Sequence, residues 1–157
     1  MPHIVEILIA SAPDAPMTPS DSVRVIPGRG LVGDRYYVGN GTFSPHPQKP
    51  DFEITLIQQE HIEAFASTTG IPFTSRDARR NLVTTGMDLN TLVGQEFMVG
   101  SVKLRGLRLC EPCNYLAKQT HPEVLRGLVH KGGLRAQILT EGEIHVGNIL
   151  KFPLHTS

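Results

Sequence analysis

The segment Leu109-Cys110-Glu111-Pro112-Cys113-Asn114-Tyr115-Leu116 holds the side chains of this sequence best suited to chemistry. It follows a β-prone run and leads into a turn or short helix. A thiol at a helix N-terminus meets the positive end of the backbone dipole, which lowers its pKa and favours thiolate. Thiolate is the form that ligates soft metals or carries sulfur. Four readings of the Cys-x2-Cys spacing stay open. Both thiols could be inert core residues. They could form a dithiol redox pair in which Cys110 resolves Cys113, although the repeated βαβ pattern usual around such pairs is missing. They could join His121 and His130 around zinc, at a spacing unlike familiar zinc motifs. Or one of them could be a single functional thiol, the reading that the basic turns of the chain favour.

Those turns are three. Gly28-Arg29-Gly30-Leu31-Val32-Gly33-Asp34-Arg35 could cradle an anion on its backbone N–H groups. It is not a Walker-type phosphate loop, because Asp34 stands where that motif needs Lys and no Ser or Thr follows. Taken alone it reads first as a structural turn. Arg79-Arg80-Asn81 sets two cations and an amide at the mouth of a strand, or else a solvated charge pair. Lys131-Gly132-Gly133-Leu134-Arg135 sets two cations around a tight glycine turn, or else caps a helix. Three basic turns in a neutral chain point to one convergent anion pocket, and the planar fork of arginine suits phosphate. The seven histidines are scattered without metal-ligand helix spacing. Glu60, Glu63 and Glu141 read as solvated faces, and no Ser/His/Asp arrangement is visible.

Positioning these groups requires a mostly β scaffold. Strands are expected at Ile4–Ile9, Val23–Ile26, Ile54–Ile57, Asn81–Thr84, Gln95–Val99, Val102–Leu109, Leu134–Leu139 and Ile144–Phe152. Gly100-Ser101 turns a hairpin, and Glu141-Gly142 makes the last turn. Val102 and Leu104 share one face, whereas Leu107 and Leu109 are out of step with them. Gly106 at that slip predicts a β-bulge that re-aims Arg108 and Cys110. Gln59–Thr69 is a helix, with Ile62, Phe65, Ala66 and Thr69 on one face and Gly70 as its stop. A helical turn is expected at Asn114–Lys118. A second helix follows the capping-box spacing Thr120-His121-Pro122-Glu123, with Val124, Leu125, Leu128 and Val129 on its apolar face. Gly39–Asp51, rich in Gly and Pro, is expected to be a mobile loop gating the pocket. Many short strands with two or three short helices argue for a mostly β barrel with helical insertions.

Composition sets the outer bounds. With 157 residues and 39% hydrophobic content, one globular domain spanning 1–157 is expected. Lys+Arg and Asp+Glu each total 15, so no overall field draws the chain to nucleic acid. No apolar run is long enough to span a bilayer, and the run from Ile4 to Ala12 lacks the basic lead of a signal peptide. Two closely spaced cysteines fit a reducing, cytoplasmic setting.

In order and spacing the sequence resembles the MOSC domain family, named for the C-terminal domain of molybdenum cofactor sulfurase, in its stand-alone bacterial form. The elements are Gly30-Leu31-Val32-Gly33-Asp34-Arg35, Arg79-Arg80-Asn81-Leu82-Val83, Gly86 with Asp88-Leu89, Leu92-Val93-Gly94, Pro112-Cys113, and Gly132-Gly133-Leu134-Arg135-Ala136 before a closing strand. Two positions depart from it. Gly147-Asn148 stands where Gly-Asp is common, and Lys131 where Arg is more often found. The resemblance implies a MOSC-type β-barrel and one functional cysteine, Cys113, as molybdenum ligand or sulfur carrier, with Cys110 beside it. It places Arg35, Arg79 and Asn81, with Arg135 and the Gly132-Gly133 turn, around a molybdenum–molybdopterin cofactor. The chemistry it implies is two-electron reduction of N-hydroxylated or related small molecules, with a redox or sulfur-donor protein as partner. The alternatives are a persulfide on Cys113 passed on for cofactor or metal–sulfur cluster assembly, and a non-catalytic domain that binds a small ligand or a partner. Pyridoxal phosphate binding is not expected.

Overall fold

The computed structural model of the protein describes residues 1–12, 15–35, 37, 53–110 and 131–153. Cys113, the turn expected at 114–118, the helix expected around 124–129 and the proline-rich stretch 39–51 lie outside the described residues, as do His121 and His130.

The apolar runs become strands, and they pair as one curled sheet. β1 (His3–Ile9), β2 (Thr18–Ser20), β5 (Ile54–Gln58), β6 (Leu82–Thr85), β7 (Glu96–Val99), β8 (Val102–Leu109), β9 (Leu134–Ile138) and β11 (Leu150–Lys151) stand in the order β11-β7-β8-β9-β5-β6-β1-β2. β3 (Ser22–Ile26) pairs with β4 (Gly30–Leu31) on one side and β10 (Gly142–His145) on the other, forming a separate three-stranded sheet. The large sheet curls enough for its distant members to meet. Ile4 N–H donates to the Asn148 carbonyl, Leu150 N–H to the Pro2 carbonyl, and Gly147 N–H to the Ile4 carbonyl. These bonds bring β1 against the segment that leads into β11. The fold is the mostly β, barrel-like curl expected from the residues.

Alternation decides what the curl encloses. On β9, Leu134, Ala136 and Ile138 are buried while Arg135 and Gln137 face the other way. The enclosed core gathers Ile4, Leu56, Leu82, Phe97, Leu104 and Leu134. Every residue of β5 is buried, because α1 (Gln59–Thr69) covers the sheet's other face. There Leu8, Ile57 and Val83 pack with Ile62 and Phe65 of α1 and with Phe73, whose ring meets that of Phe65 edge-on at 5.0 Å. Full burial of each such side chain contributes about 1.5–3 kcal/mol. Helix α1 ends where expected, with Gly70 left-handed at φ 72° and its N–H on the Ala66 carbonyl. Thr69, expected on the apolar face, is exposed. Its hydroxyl serves the helix end by donating to the Phe65 carbonyl and accepting from Ile71 N–H.

Two short helices have no apolar periodicity and were not legible. α2 (Ser75–Ala78) is closed by a Thr74/Asp77 capping box, and a 3-10 turn runs over Leu89–Leu92. The closing stretch Ile144–Phe152 is not one strand. It breaks at Val146-Gly147-Asn148, where Gly147 takes φ 93° and the chain passes from β10 to β11.

The bulge at Gly106 is present, as a register shift between Gly106 and Arg108 in the β8–β9 pair. Its cause is steric. A Cβ on Gly106 would lie 2.0 Å from the Leu92 carbonyl oxygen, so the 3-10 turn packs directly on strand backbone. No helix among the described residues is long and apolar enough to cross a membrane.

Candidate functional site

The sheet register gathers the elements that carry the candidate residues. Leu56, in the middle of β5, is opposite Leu134 at the start of β9 and Leu82 at the start of β6. Leu134 is in turn opposite Leu109 at the end of β8. The three chain segments joined to these strand ends are those ending in Cys110, running through Gly132-Gly133, and running through Arg79-Arg80-Asn81.

Arg79 shapes the last of these. It is the one residue other than glycine with positive φ among the described residues, at φ 57° and ψ 40°, and it ends α2. A left-handed backbone costs about 1–3 kcal/mol for a residue with a side chain, so surrounding bonds must hold it. Arg35 does so. Its Nη2 donates to the Arg79 carbonyl at 3.1 Å, while Nη1 lies 3.2 Å from Asp34 Oδ1 and 3.4 Å from Met17 Sδ. Asp34, fully buried, also accepts from Ala10 N–H at 3.0 Å, which ties the Gly33-Asp34-Arg35 turn to the end of β1. Arg79 itself donates through Nη1 to the Ala15 carbonyl at 2.9 Å.

The left-handed turn sends Arg80 a different way. Arg80 is 9% exposed, and its guanidinium reaches three carbonyl oxygens: Gly132 at 2.8 Å from Nε, Ala78 at 3.2 Å from Nη1, and Cys110 at 3.2 Å from Nη2. Cys110 N–H closes the group by donating to the Gly133 carbonyl at 2.7 Å. One side chain thus joins the end of α2, the glycine turn and the last described residue before the Pro112-Cys113 pair. The sequence places Arg80 in a basic doublet but does not separate it from Arg79. Burial is the property that separates them, and burial depends on residues far along the chain.

The other candidates sit as follows. Cys110 is 2% exposed, with its backbone held on both sides by Gly133 and Arg80. Asn81 is wholly buried inside the sheet. Its Oδ1 accepts from the Thr55 N–H and hydroxyl at 3.1 and 3.2 Å, and its Nδ2 donates to the Leu8 carbonyl at 3.2 Å. Asn81 N–H returns a bond to the Thr55 hydroxyl at 3.0 Å. The amide pins β1, β5 and the start of β6 together. Gly132 and Gly133 are buried. Arg135 is half-buried, opposite Thr55 on β5 and Arg108 on β8. The structure therefore brings Arg35, Arg79, Gly132, Gly133 and Cys110 into one bonded neighbourhood through Arg80. The zinc reading depends on Cys113, His121 and His130, all outside the described residues.

Sequence reasoning passed over Glu53. It is 2% exposed, and its Oε1 accepts from Gly28 N–H at 3.2 Å and Ile138 N–H at 3.0 Å, tying the first glycine turn to β9. Burial pushes its carboxyl above the usual glutamate range, and the two N–H bonds only partly offset that. A group with a raised folded pKa stabilises fully below its unfolded pKa and loses that contribution as pH rises through the folded value. Glu53→Gln removes the titration, so the stability difference between wild type and variant should move in favour of Gln as pH rises from 4 to 7. Urea denaturation of both proteins across that range checks it; a pH-independent difference would show that Glu53 is not desolvated in this way.

Comparisons with known proteins agree with this architecture. The family model described as the MOSC domain matches residues 43–151. The YuaD protein from Bacillus subtilis superposes with a TM-score of 0.79 at 15% identity, over 96% of this chain and 94% of that one. YiiM from Geobacillus stearothermophilus gives 0.73 at 20% identity, over 96% of this chain and 74% of that one. YiiM from Escherichia coli gives 0.70 at 16% identity, over 100% of this chain and 72% of that one. Identities this low speak for the fold alone. No curated protein matches the chain. The match to 43–151 spans well over half of the sequence, from the segment before β5 through β11, and the protein belongs to the MOSC domain family.

Proposed function

We propose that this protein binds a molybdenum–molybdopterin cofactor and uses it to reduce small N-hydroxylated or related molecules by two electrons, with Cys113 as the metal ligand. The observation that carries the proposal is the convergence on the Arg79-Arg80 turn. Arg35 holds the Arg79 carbonyl, and Arg80 holds the carbonyls of Gly132 and Cys110. Three basic turns distant in sequence, and the strand end that leads toward Cys113, therefore meet.

The residues present fit an anionic group. Arg80 is nine-tenths buried, yet among the described residues it meets carbonyl oxygens and no carboxylate. Burying a cation without a counter-charge is costly, so such a position favours an anion beside it. Arg79, Arg80 and Arg135 would hold the cofactor's phosphate and pterin, and Cys113 the metal. When bound, the molybdenum and its dithiolene supply the two-electron redox chemistry. The chain itself binds and orients. Arg35 and Asp34 set the backbone of the Arg79 turn, Arg80 keeps the glycine turn against the end of β8, and Asn81 holds the strands beneath. Cys110, enclosed and braced, serves as framework in this reading.

Element analysis for molybdenum and zinc, with pterin assay, on wild type and Cys113→Ala freshly prepared under reducing conditions tests the proposal. Wild type should carry or accept molybdenum and pterin near one per chain, and Cys113→Ala should lose the metal. A wild type that holds neither and cannot be loaded in vitro overturns it. If such a metal-free protein gains the mass of one sulfur on Cys113 after incubation with a cysteine desulfurase, the persulfide carrier takes its place.

A further inference from the structure

We infer that the groove between α1 and the Lys131-Gly132-Gly133 turn binds the carboxylate of a small organic acid, at a site separate from the arginine neighbourhood described above. His61, Ala64, Phe65, Thr68 and Thr69 of α1 line it together with Lys131 of the turn. The α1 residues recur at i, i+3, i+4, i+7 and i+8, so they form one stripe along the helix. The exposed part of that stripe is cut back to the small side chains of Ala64 and Thr68. The space left is about 100 Å³, the share of about three water molecules in the liquid. The turn fixes Lys131 at its rim. Arg80 Nε holds the Gly132 carbonyl at 2.8 Å, and Gly133 packs so closely on β5 that a Cβ would lie 2.0 Å from the Leu56 carbonyl oxygen. The backbone that carries Lys131 is therefore held against the sheet while its side chain lines the groove.

The lining sets the ligand chemistry. Lys131 brings a positive charge and N–H donors, His61 a ring nitrogen and Thr68 a hydroxyl, while Ala64 and the Phe65 ring bring apolar surface. Thr69 adds shape, because its hydroxyl serves the helix end. The carboxylates of α1 are engaged elsewhere: Glu60 accepts from the Thr85 hydroxyl and Gly86 N–H, and Glu63 from Gln59 Nε2. One compact ammonium over a small apolar floor suits a singly charged carboxylate on a short carbon chain. Bidentate recognition of phosphate calls instead on the planar fork of arginine, which this groove does not use.

The test titrates isotope-labelled full-length protein with butyrate, with its neutral counterpart butyramide and with methylphosphonate, and follows the amide resonances. Butyrate should give saturable millimolar shifts at residues 61–69 and 131–132, and butyramide should give none there. Lys131→Met should weaken butyrate about 3- to 10-fold, as loss of a partly exposed charge partner does. Ala64→Leu fills the groove from an exposed helix position with a good helix former, so it should keep the fold and abolish binding. Arg24→Gln on the exposed face of β3 should bind as wild type. Circular dichroism establishes that the variants fold. Equal shifts with butyramide, tighter binding of methylphosphonate at the same residues, or unchanged butyrate affinity in folded Lys131→Met or Ala64→Leu overturns the inference. So does a wild type without saturable shifts in these residues up to about 100 mM butyrate. None of these readouts involves molybdenum, so this inference and the cofactor reading stand or fall separately.

Discussion

Gly133→Ala should leave the protein unable to fold, or cost it about 4 kcal/mol or more, which is most of the stability of an ordinary domain. Two independent effects add. Gly133 takes φ 110°, a conformation that residues with a Cβ rarely adopt. A Cβ there would also sit 2.0 Å from the Leu56 carbonyl oxygen and 3.3 Å from the Ile57 Cβ. The oxygen belongs to the backbone of β5, which is paired on both sides, so it cannot swing away as a side-chain tip would. Gly70→Ala is the control. Its φ of 72° is also left-handed, but nothing lies within 4 Å of the added carbon, so it should cost only about 1–2 kcal/mol. Urea midpoints and circular dichroism of the two variants separate the cases. Equal costs would mean that the approach of the glycine turn to β5 is not as close as described. The glycine is thus required by strand contact, before any ligand is considered.

Asn81→Ala should destabilise the cofactor-free protein by about 2–4 kcal/mol. The substitution strips the acceptor from the Thr55 N–H and hydroxyl and the donor from the Leu8 carbonyl, all in a position with no exposure. Each buried polar group left unsatisfied costs about 1–3 kcal/mol, with some recovered by rotation of the Thr55 hydroxyl. The measurement is chemical denaturation of apo wild type and variant at matched pH. A loss of cofactor affinity with unchanged apo stability would instead assign Asn81 to the ligand and set aside its role as a pin between β1, β5 and β6.

These two expectations bear on how motif positions are read. Gly133 and Asn81 stand in motifs that resemble the cofactor-holding elements of the family, yet in the structure both have complete structural occupations. Arg35 has the same character. It balances Asp34 and holds the Arg79 carbonyl, so it shapes the turn that a ligand would meet. Arg80, the other member of the doublet, meets only carbonyl oxygens among the described residues.

Much of the scaffold was legible in the residues. Alternation over β3, β7 and β9, the period of α1 and the glycine stops reflect local backbone and side-chain geometry, which a short window of sequence carries. The phase slip at Gly106 announced its bulge for the same reason. The family, the strand and helix periods and the three basic turns are therefore legible from the residues alone. Which arginine is buried, the burial of Glu53 and Asn81, and the need for Gly133 to lack a side chain emerge only from the packed chain. Those outcomes depend on partners dozens of residues away, brought together by sheet register and curl, and no local pattern encodes the distance between them.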